Sequence, residues 1–161
     1  MKTLILMRHA KAESSGFDTK DFDRKLSEKG KNDADIGAKV LKKYIPKIDL
    51  IVSSSAKRTL KTAKITAQNF GINKENIEST EYLYESDVES YIHLLRNLND
   101  KTDNKVLIVG HNPTIGGMAS VLSGYQVQEF KPGAFAVFQL QIETWKLFKL
   151  TEIKLLHQFT P

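Results

Sequence analysis

Short apolar runs alternate with longer amphipathic stretches along this chain. Leu4-Ile5-Leu6-Met7, Leu50-Ile51-Val52 and Val106-Leu107-Ile108-Val109 are unbroken apolar runs of strand length. That is the pattern of strands buried on both faces. Between them, apolar residues recur at helical spacing. Leu60, Ala63, Ala67 and Phe70 form one stripe with Gly71 as its stop, and Val88, Ile92, Leu95 and Leu98 form another. The pattern predicts strands around Thr3–Arg8, Asp49–Ser53 and Lys105–Val109, with a short one near Ile77. It predicts helices around Ser27–Tyr44, Ala56–Phe70, Asp87–Asn99 and Pro113–Leu122. Ser27, Ser55, a Ser86-Asp87-Val88-Glu89 capping box, and Asn112 followed by Pro113 are the start signals. Ala134–Ile142 and Trp145–Leu155 are rich in strand formers, and Glu143-Thr144 between them predicts a hairpin at the sheet edge. Alternating strands and helices predict an α/β fold, a three-layer α/β/α sandwich with a mostly parallel central sheet. A chain of 161 residues fits one domain over residues 1–161.

Two of these runs end in reactive side chains. The first stops at Arg8-His9. The last stops at Gly110-His111-Asn112-Pro113. In open α/β sheets, ligands bind in the crevice outside the carboxyl ends of the strands. A guanidinium is a planar fork that matches phosphate. A neutral imidazole is a nucleophile able to form a covalent intermediate. Gly110 allows a sharp turn or a close approach to a ligand, and the helix start behind it favours anions. The run at Leu50 leads through Ser53-Ser54-Ser55-Ala56-Lys57 to Arg58 in the first turn of a helix. A cation there opposes the helix dipole unless it meets an anion drawn to the same end. Any one of these residues alone reads as structural. Two histidines delivered by two strands to the same kind of position read as a site that holds a phosphoryl group and attacks it.

Arg8-His9-Ala10, the segment Ser53-Ser54-Ser55-Ala56 with Arg58, Thr59, Thr62 and Ala63, and Gly110-His111-Asn112-Pro113 resemble the histidine phosphatase superfamily, the phosphoglycerate-mutase-like fold. Asp23-Arg24-Lys25-Leu26-Ser27-Glu28-Lys29-Gly30 is similar to the segment after the first strand in short SixA-type phosphohistidine phosphatases. The resemblance covers nearly the whole chain. It implies that His9 attacks phosphorus and becomes a transient phosphohistidine, while Arg8, Arg58 and His111 hold the phosphoryl oxygens. Phosphoryl transfer is catalysed mostly by positioning and by offsetting charge, so it implies no cofactor and no metal ion. A bond from the second ring N–H of His9 to a backbone carbonyl would fix its tautomer.

Larger relatives carry a proton-donating Glu in a Leu-x-Glu setting. Leu83-Tyr84-Glu85 matches it, which makes Glu85 the candidate acid, against its reading as a solvated residue before a helix. Those relatives have Asn where Ser15 falls, so Ser15 is a weak phosphate contact, and a common Gly where this chain has Ala10. Asp23 and Arg24 either order the loop over the site or touch substrate. The implied partner is a protein carrying phosphohistidine, whose leaving imidazole can already be protonated. Short connections at Tyr82–Asp87 and Gly110–Pro113 imply a shallow, open pocket. A small-molecule phosphomonoesterase, a sugar-phosphate mutase and a catalytically weak phosphate binder are the alternatives on the same residues.

Net charge is +5 and the pI is about 9.3, which raises a nucleic-acid or acidic-surface binding module as a competitor. The lysines are scattered among acids without a basic run, which argues against nucleic acid. A positive field also draws a phosphorylated substrate. Arginine occurs only at positions 8, 24, 58 and 96, and the first three fall in the motifs, where a rigid fork is needed. His93 beside an apolar stripe, His157 in the tail and Arg96 on a solvated helix face read as structural. There is no cysteine, hence no disulfide or thiolate chemistry. The first apolar run is too short for a membrane span or a signal-peptide core, so the expectation is a cytoplasmic protein with no membrane partner.

Overall fold

A computed structural model describes residues 1–161. Six strands, β1 (Lys2–Arg8), β2 (Leu50–Ser54), β3 (Ile77–Thr80), β4 (Lys105–Gly110), β5 (Phe135–Leu140) and β6 (Lys154–Phe159), form one sheet in the order β3-β2-β4-β1-β5-β6. β3, β2, β4 and β1 run parallel, while β5 and β6 are antiparallel additions at one edge. Four helices accompany the sheet: α1 (Glu28–Tyr44), α2 (Lys57–Phe70), α3 (Val88–Arg96) and α4 (Thr114–Leu122).

Strand alternation divides the core in two. Leu4, Leu6, Val106 and Ile108 pack with Tyr91 and Leu95 of α3 and Ile115 and Met118 of α4. Ile5, Met7, Leu107 and Val109 pack on the opposite face with Leu41 of α1 and Ala63 and Ala67 of α2. With both faces covered, β1 and β4 need apolar residues at every position, which explains their unbroken runs. The expected α/β/α sandwich with a mostly parallel sheet is what the chain forms.

The helix starts differ from the sequence signals in detail. Ser55 does not cap α2: Ala56 holds the cap position without a side-chain bond. The hydroxyl of Ser54 takes the Ala56 N–H instead, at 3.4 Å. Asp87, not Ser86, caps α3 by accepting the Ser90 N–H. α4 starts at Thr114 with Pro113 in the cap position, and the Asn112 amide donates to the Phe130 carbonyl at 3.0 Å. The terminal strands do pair at the sheet edge, but Trp145 lies outside them. Trp145–Leu147 is a 3-10 turn capped by Thr144, and β6 begins only at Lys154. The indole is fully buried and its N–H donates to the Asp103 carbonyl, so a bulky amphipathic side chain anchors the connection to the core.

Between β1 and α1 the chain makes an excursion that matters for the site. It is closed at its base by an antiparallel bridge between Ala12 and Leu26. Ser27 caps α1 by accepting the Gly30 N–H, and its own N–H donates to the Lys11 carbonyl at 2.9 Å. A Cβ on Gly30 would lie 2.0 Å from the Lys11 carbonyl oxygen. The helix start therefore rests directly on the backbone of the segment leaving β1.

Two matched substitutions test this. Gly30→Ala should destabilise by about 1–3 kcal/mol, since backbone cannot yield to the new methyl group as a flexible side chain can. Gly117→Ala, in α4 with nothing within 4 Å of the new atom, should be neutral or stabilising by about 0.5–1 kcal/mol. Urea unfolding of both variants checks the opposite signs.

Candidate active site

The parallel ladders bring the reactive residues together. Arg8 pairs with Gly110 across β1 and β4, so the next residues, His9 and His111, leave the sheet side by side. The His9 N–H donates to the Gly110 carbonyl at 3.1 Å, and the two imidazole centroids are 5.3 Å apart. β2 lies on the far side of β4, and the helix after it carries Arg58 to the same place. The segment after β3 contributes Tyr84 and Glu85. Arg8, His9, Arg58, His111 and Glu85 all line one cavity of about 560 Å³ at the carboxyl ends of the parallel strands.

Each imidazole has a defined hydrogen-bonding state. Nδ1 of His9 is 2.8 Å from the Ala10 carbonyl, which can only accept, so Nδ1 carries the proton. Nε2 keeps its lone pair and accepts the Arg58 Nε–H at 3.3 Å. Burial lowers the His9 pKa; the Ala10 bond opposes this, and the nearby charges of His111, Arg58 and Arg8 add to it, bringing the pKa down to about 3. In His111, Nδ1 faces Nη2 of Arg58 at 3.4 Å, and a guanidinium can only donate. Nε2–H of His111 therefore donates to the Ser54 hydroxyl at 2.9 Å. Burial and then the charge of Arg58 lower this pKa to about 4.

Arg8 donates through Nη1 to the Phe130 carbonyl at 3.0 Å, and its buried Nε has no partner. Gly110 serves close packing rather than a left-handed turn. The glycines with positive φ are Gly71, Gly124 and Gly133, whereas a Cβ on Gly110 would lie 2.1 Å from the Tyr91 hydroxyl. Glu85 stands exposed on the rim with φ 50°, a conformation uncommon for a non-glycine residue.

The cavity also holds Asp21 and Tyr91, which carried no signal in the sequence, and Tyr84, which carried one only as the middle residue of Leu83-Tyr84-Glu85. Asp21 opens a 3-10 turn, Asp21–Asp23, within the excursion after β1. Its Oδ2 lies 2.8 Å from Nη2 of Arg58 and accepts the Tyr84 hydroxyl at 2.9 Å. Its Oδ1 accepts from Nη1 of Arg24 at 3.1 Å, and its backbone carbonyl accepts from Nη1 of Arg58. Partial burial works to raise the Asp21 pKa, but the bonds from Tyr84, Arg24 and Arg58 outweigh it and bring it to about 2. An aspartate in a polar loop is ordinary in sequence; only folding places it on Arg58.

Asp23 pairs outward with Lys57 at 2.8 Å. Arg24 fastens the loop through Nε and Nη2 to the Glu13 carbonyl, at 3.1 and 2.9 Å. Both order the loop. Ser15 is exposed in the excursion and does not line the cavity, nor do His93 and His157. Arg96 is exposed as expected, yet it clamps the Phe148 carbonyl with two bonds of 3.0 Å. Lysines scattered in the sequence converge in space: Lys25, Lys31, Lys57, Lys61 and Lys64 line a second groove with Glu13. No helix is long and apolar enough to cross a membrane.

A profile of the histidine phosphatase superfamily (branch 1) matches residues 4–94. The chain belongs to the histidine phosphatase superfamily. It is 33% identical over 121 residues to an uncharacterized protein of Mycobacterium leprae (strain TN), covering 73% of this chain and 71% of that one. It is 32% identical over 137 residues to an uncharacterized chloroplastic protein of Arabidopsis thaliana, covering 79% of this chain and 62% of the plant protein. Among solved structures it is similar to SixA of Agrobacterium tumefaciens, a candidate phosphohistidine phosphatase, with TM-score 0.82 and 27% identity over 99% of this chain and 98% of that one. The corresponding candidate from Nakamurella multipartitia gives TM-score 0.84 and 27% identity over 99% and 96%.

The lowered imidazole pKa values give a signed pH dependence. An unfolded histidine takes up its proton near pH 6.5, whereas folded His9 resists protonation down to about 3. Between those values the unfolded chain binds the extra proton, so stability should fall as pH drops through that window. His9→Gln should flatten part of this loss in denaturant unfolding series between pH 7 and 4. An NMR titration should find both rings neutral at pH 5; a His9 signal titrating near its unfolded value would contradict the burial argument.

Proposed function

We propose that this protein is a phosphatase that works through a phosphohistidine at His9 and removes phosphate from phosphohistidine in proteins. One observation carries the proposal. His9 presents an unprotonated Nε2 to an open cavity, with its other nitrogen pinned to a backbone carbonyl and with Arg8, Arg58 and His111 around it. In the proposed step the Nε2 lone pair attacks phosphorus. A new N–P bond forms as the bond to the leaving group breaks. The electron pair leaves with that group, which departs as neutral imidazole when the other nitrogen of the phosphorylated ring already carries a proton. Water then attacks phosphorus on His9, releasing inorganic phosphate and restoring the imidazole.

Arg8, Arg58 and His111 take the phosphoryl oxygens. His111 donates once its proton sits on Nδ1, with the Ser54 hydroxyl donating to Nε2 instead; a hydroxyl serves in either sense. Two guanidinium forks supply the positive charge that a bound metal would otherwise supply, and His111 adds a neutral hydrogen-bond donor. Glu85, on the rim, is the proton donor for leaving groups that need one.

The choice of substrate rests on three supports. The structural relatives at 27% identity are described as candidate phosphohistidine phosphatases. The rim is open, with Glu85 and Asp21 exposed, as a side chain on a protein surface requires. The lysine groove starts one residue from Arg58, at Lys57, and adds a positive field for an anionic protein.

His9→Ala should abolish turnover, and acid-free trapping of the wild type should place labelled phosphate on His9. Arg58→Ala should lower kcat/KM by about 10²–10³. Glu85→Gln should slow phosphoester hydrolysis by about 10² and leave a phosphohistidine peptide within about twofold, because a protonated leaving imidazole makes an enzyme acid dispensable. Chelation with EDTA should change nothing. Label on His111, or undiminished turnover by His9→Ala, would overturn the mechanism. A far higher kcat/KM on a sugar phosphate than on any phosphohistidine protein would overturn the substrate assignment alone.

A further inference from the structure

All three nitrogens of the Arg58 guanidinium are engaged by the protein itself. Nε donates to His9, Nη1 to the Asp21 carbonyl, and Nη2 to both the Asp21 carboxylate and Nδ1 of His111. The side chain of Arg58 is only 7% exposed, so water cannot easily replace these partners. A phosphoryl group needs the same donors. An anion cannot take Nη2 in a bidentate fork while the Asp21 carboxylate occupies it.

The surroundings of Asp21 resemble those of a bound oxyanion. Its two carboxylate oxygens collect donors from Arg58, Arg24 and the Tyr84 hydroxyl, three side chains from three separate parts of the chain. The carboxylate is carried not on the sheet but on a three-residue turn in an exposed loop. The residues from Glu13 to Asp21 are exposed throughout. The rest of the constellation sits on strand ends and a helix start, which cannot shift without disturbing the core. Asp21 is therefore the member of the cluster that can move.

We propose that Asp21 is a place-holder for the phosphoryl group: it occupies Arg58 between turnovers and is displaced when a phosphorylated substrate binds. This rests on the phosphatase assignment. The competition has two consequences. An incoming anion must hold Arg58 better than a carboxylate does, which favours a dianionic phosphoryl group over carboxylates and monoanions. The returning carboxylate also competes with inorganic phosphate and helps to expel it. Displacement leaves Tyr84 and Arg24 with free donors at the rim, positioned for the same anion.

The sign of the effect separates this role from a merely structural one. A residue that only positions Arg58 should weaken anion binding when neutralised, whereas a competitor should strengthen it. Calorimetric titration with inorganic phosphate should show Asp21→Asn binding about twofold to fivefold tighter than wild type, the range of a partly exposed ion pair. Inorganic phosphate should also become a stronger product inhibitor of the variant by a similar factor. Asp21→Ala should shift in the same direction. A crystal structure of the wild type with phosphate should show the anion on Arg58 and the Asp21 carboxylate withdrawn from it. Unchanged or weaker binding by both variants, or phosphate bound with the Asp21–Arg58 pair intact, would overturn the place-holder role and leave the phosphatase assignment standing. Failure of wild type and both variants alike to bind phosphate would overturn that assignment and this proposal with it.

Discussion

Arg8 faces Gly110 across a parallel ladder, and the position of every reactive side chain is counted from that pair. A parallel pair has no tight turn to set its register, because the connecting chain crosses over through helices. Here register is set by packing. Sliding β1 by one residue against β4 would exchange the faces of Leu4 and Leu6 with those of Ile5 and Met7. The two faces are filled by different helices, with bulky Tyr91 and Met118 on one side and small Ala63 and Ala67 on the other. Antiparallel pairing of β1 with β5 fixes the same strand from its other edge. The separation of the two imidazoles is thus a property of the core as much as of the site.

The second constraint is electrostatic. Two guanidinium groups converge at the strand ends, and burying cations without partners is strongly unfavourable. The chain answers with the Phe130 carbonyl for Arg8 and with Asp21 for Arg58. It also keeps both imidazoles uncharged, since a further positive charge would be repelled and poorly solvated. The cations that suit the cavity to an anion are among the groups that hold the His9 lone pair free. Affinity for a phosphoryl group and readiness to attack it share one source.

The strands and helices that build the site were legible because their signals are local. Unbroken apolar runs marked β1, β2 and β4, and the polar residues just beyond each run marked Arg8, His9, Arg58 and His111 as neighbours at one sheet edge. Helix caps were less legible. Ser55, Ser86 and Asn112 all have capping chemistry, yet the choice among adjacent polar residues depends on tertiary partners such as Phe130, which sequence spacing does not reveal. Trp145 read as a strand residue because aromatic residues favour strands, but its burial against the chain near Asp103 overrides that preference. Asp21 was invisible for a different reason. Its importance comes from the distance to Arg58, thirty-seven positions away in the chain, and the intervening sequence contains no periodicity that links them. The lysine groove is likewise a product of folding, assembled from an excursion and two helices.

The excursion between Glu13 and Lys25 is held differently from everything around it. The sheet is secured by buried apolar area. The excursion has the Phe17 ring wholly in solvent and is fastened largely by charge: Asp21 to Arg58 and Arg24, Asp23 to Lys57. Phe22 against the edge of Tyr84 is its aromatic contact. Segments with few buried apolar contacts open at a free energy well below that of global unfolding. Exposed ion pairs are weakened by dissolved salt, over a screening length of about 8 Å at physiological ionic strength. The excursion and the sheet therefore answer to different solvent variables, one to ionic strength and the other to temperature and denaturant. Salt acts on this protein in two opposed ways at once: it loosens the strap across the cavity, and it dims the field that draws an anion towards it.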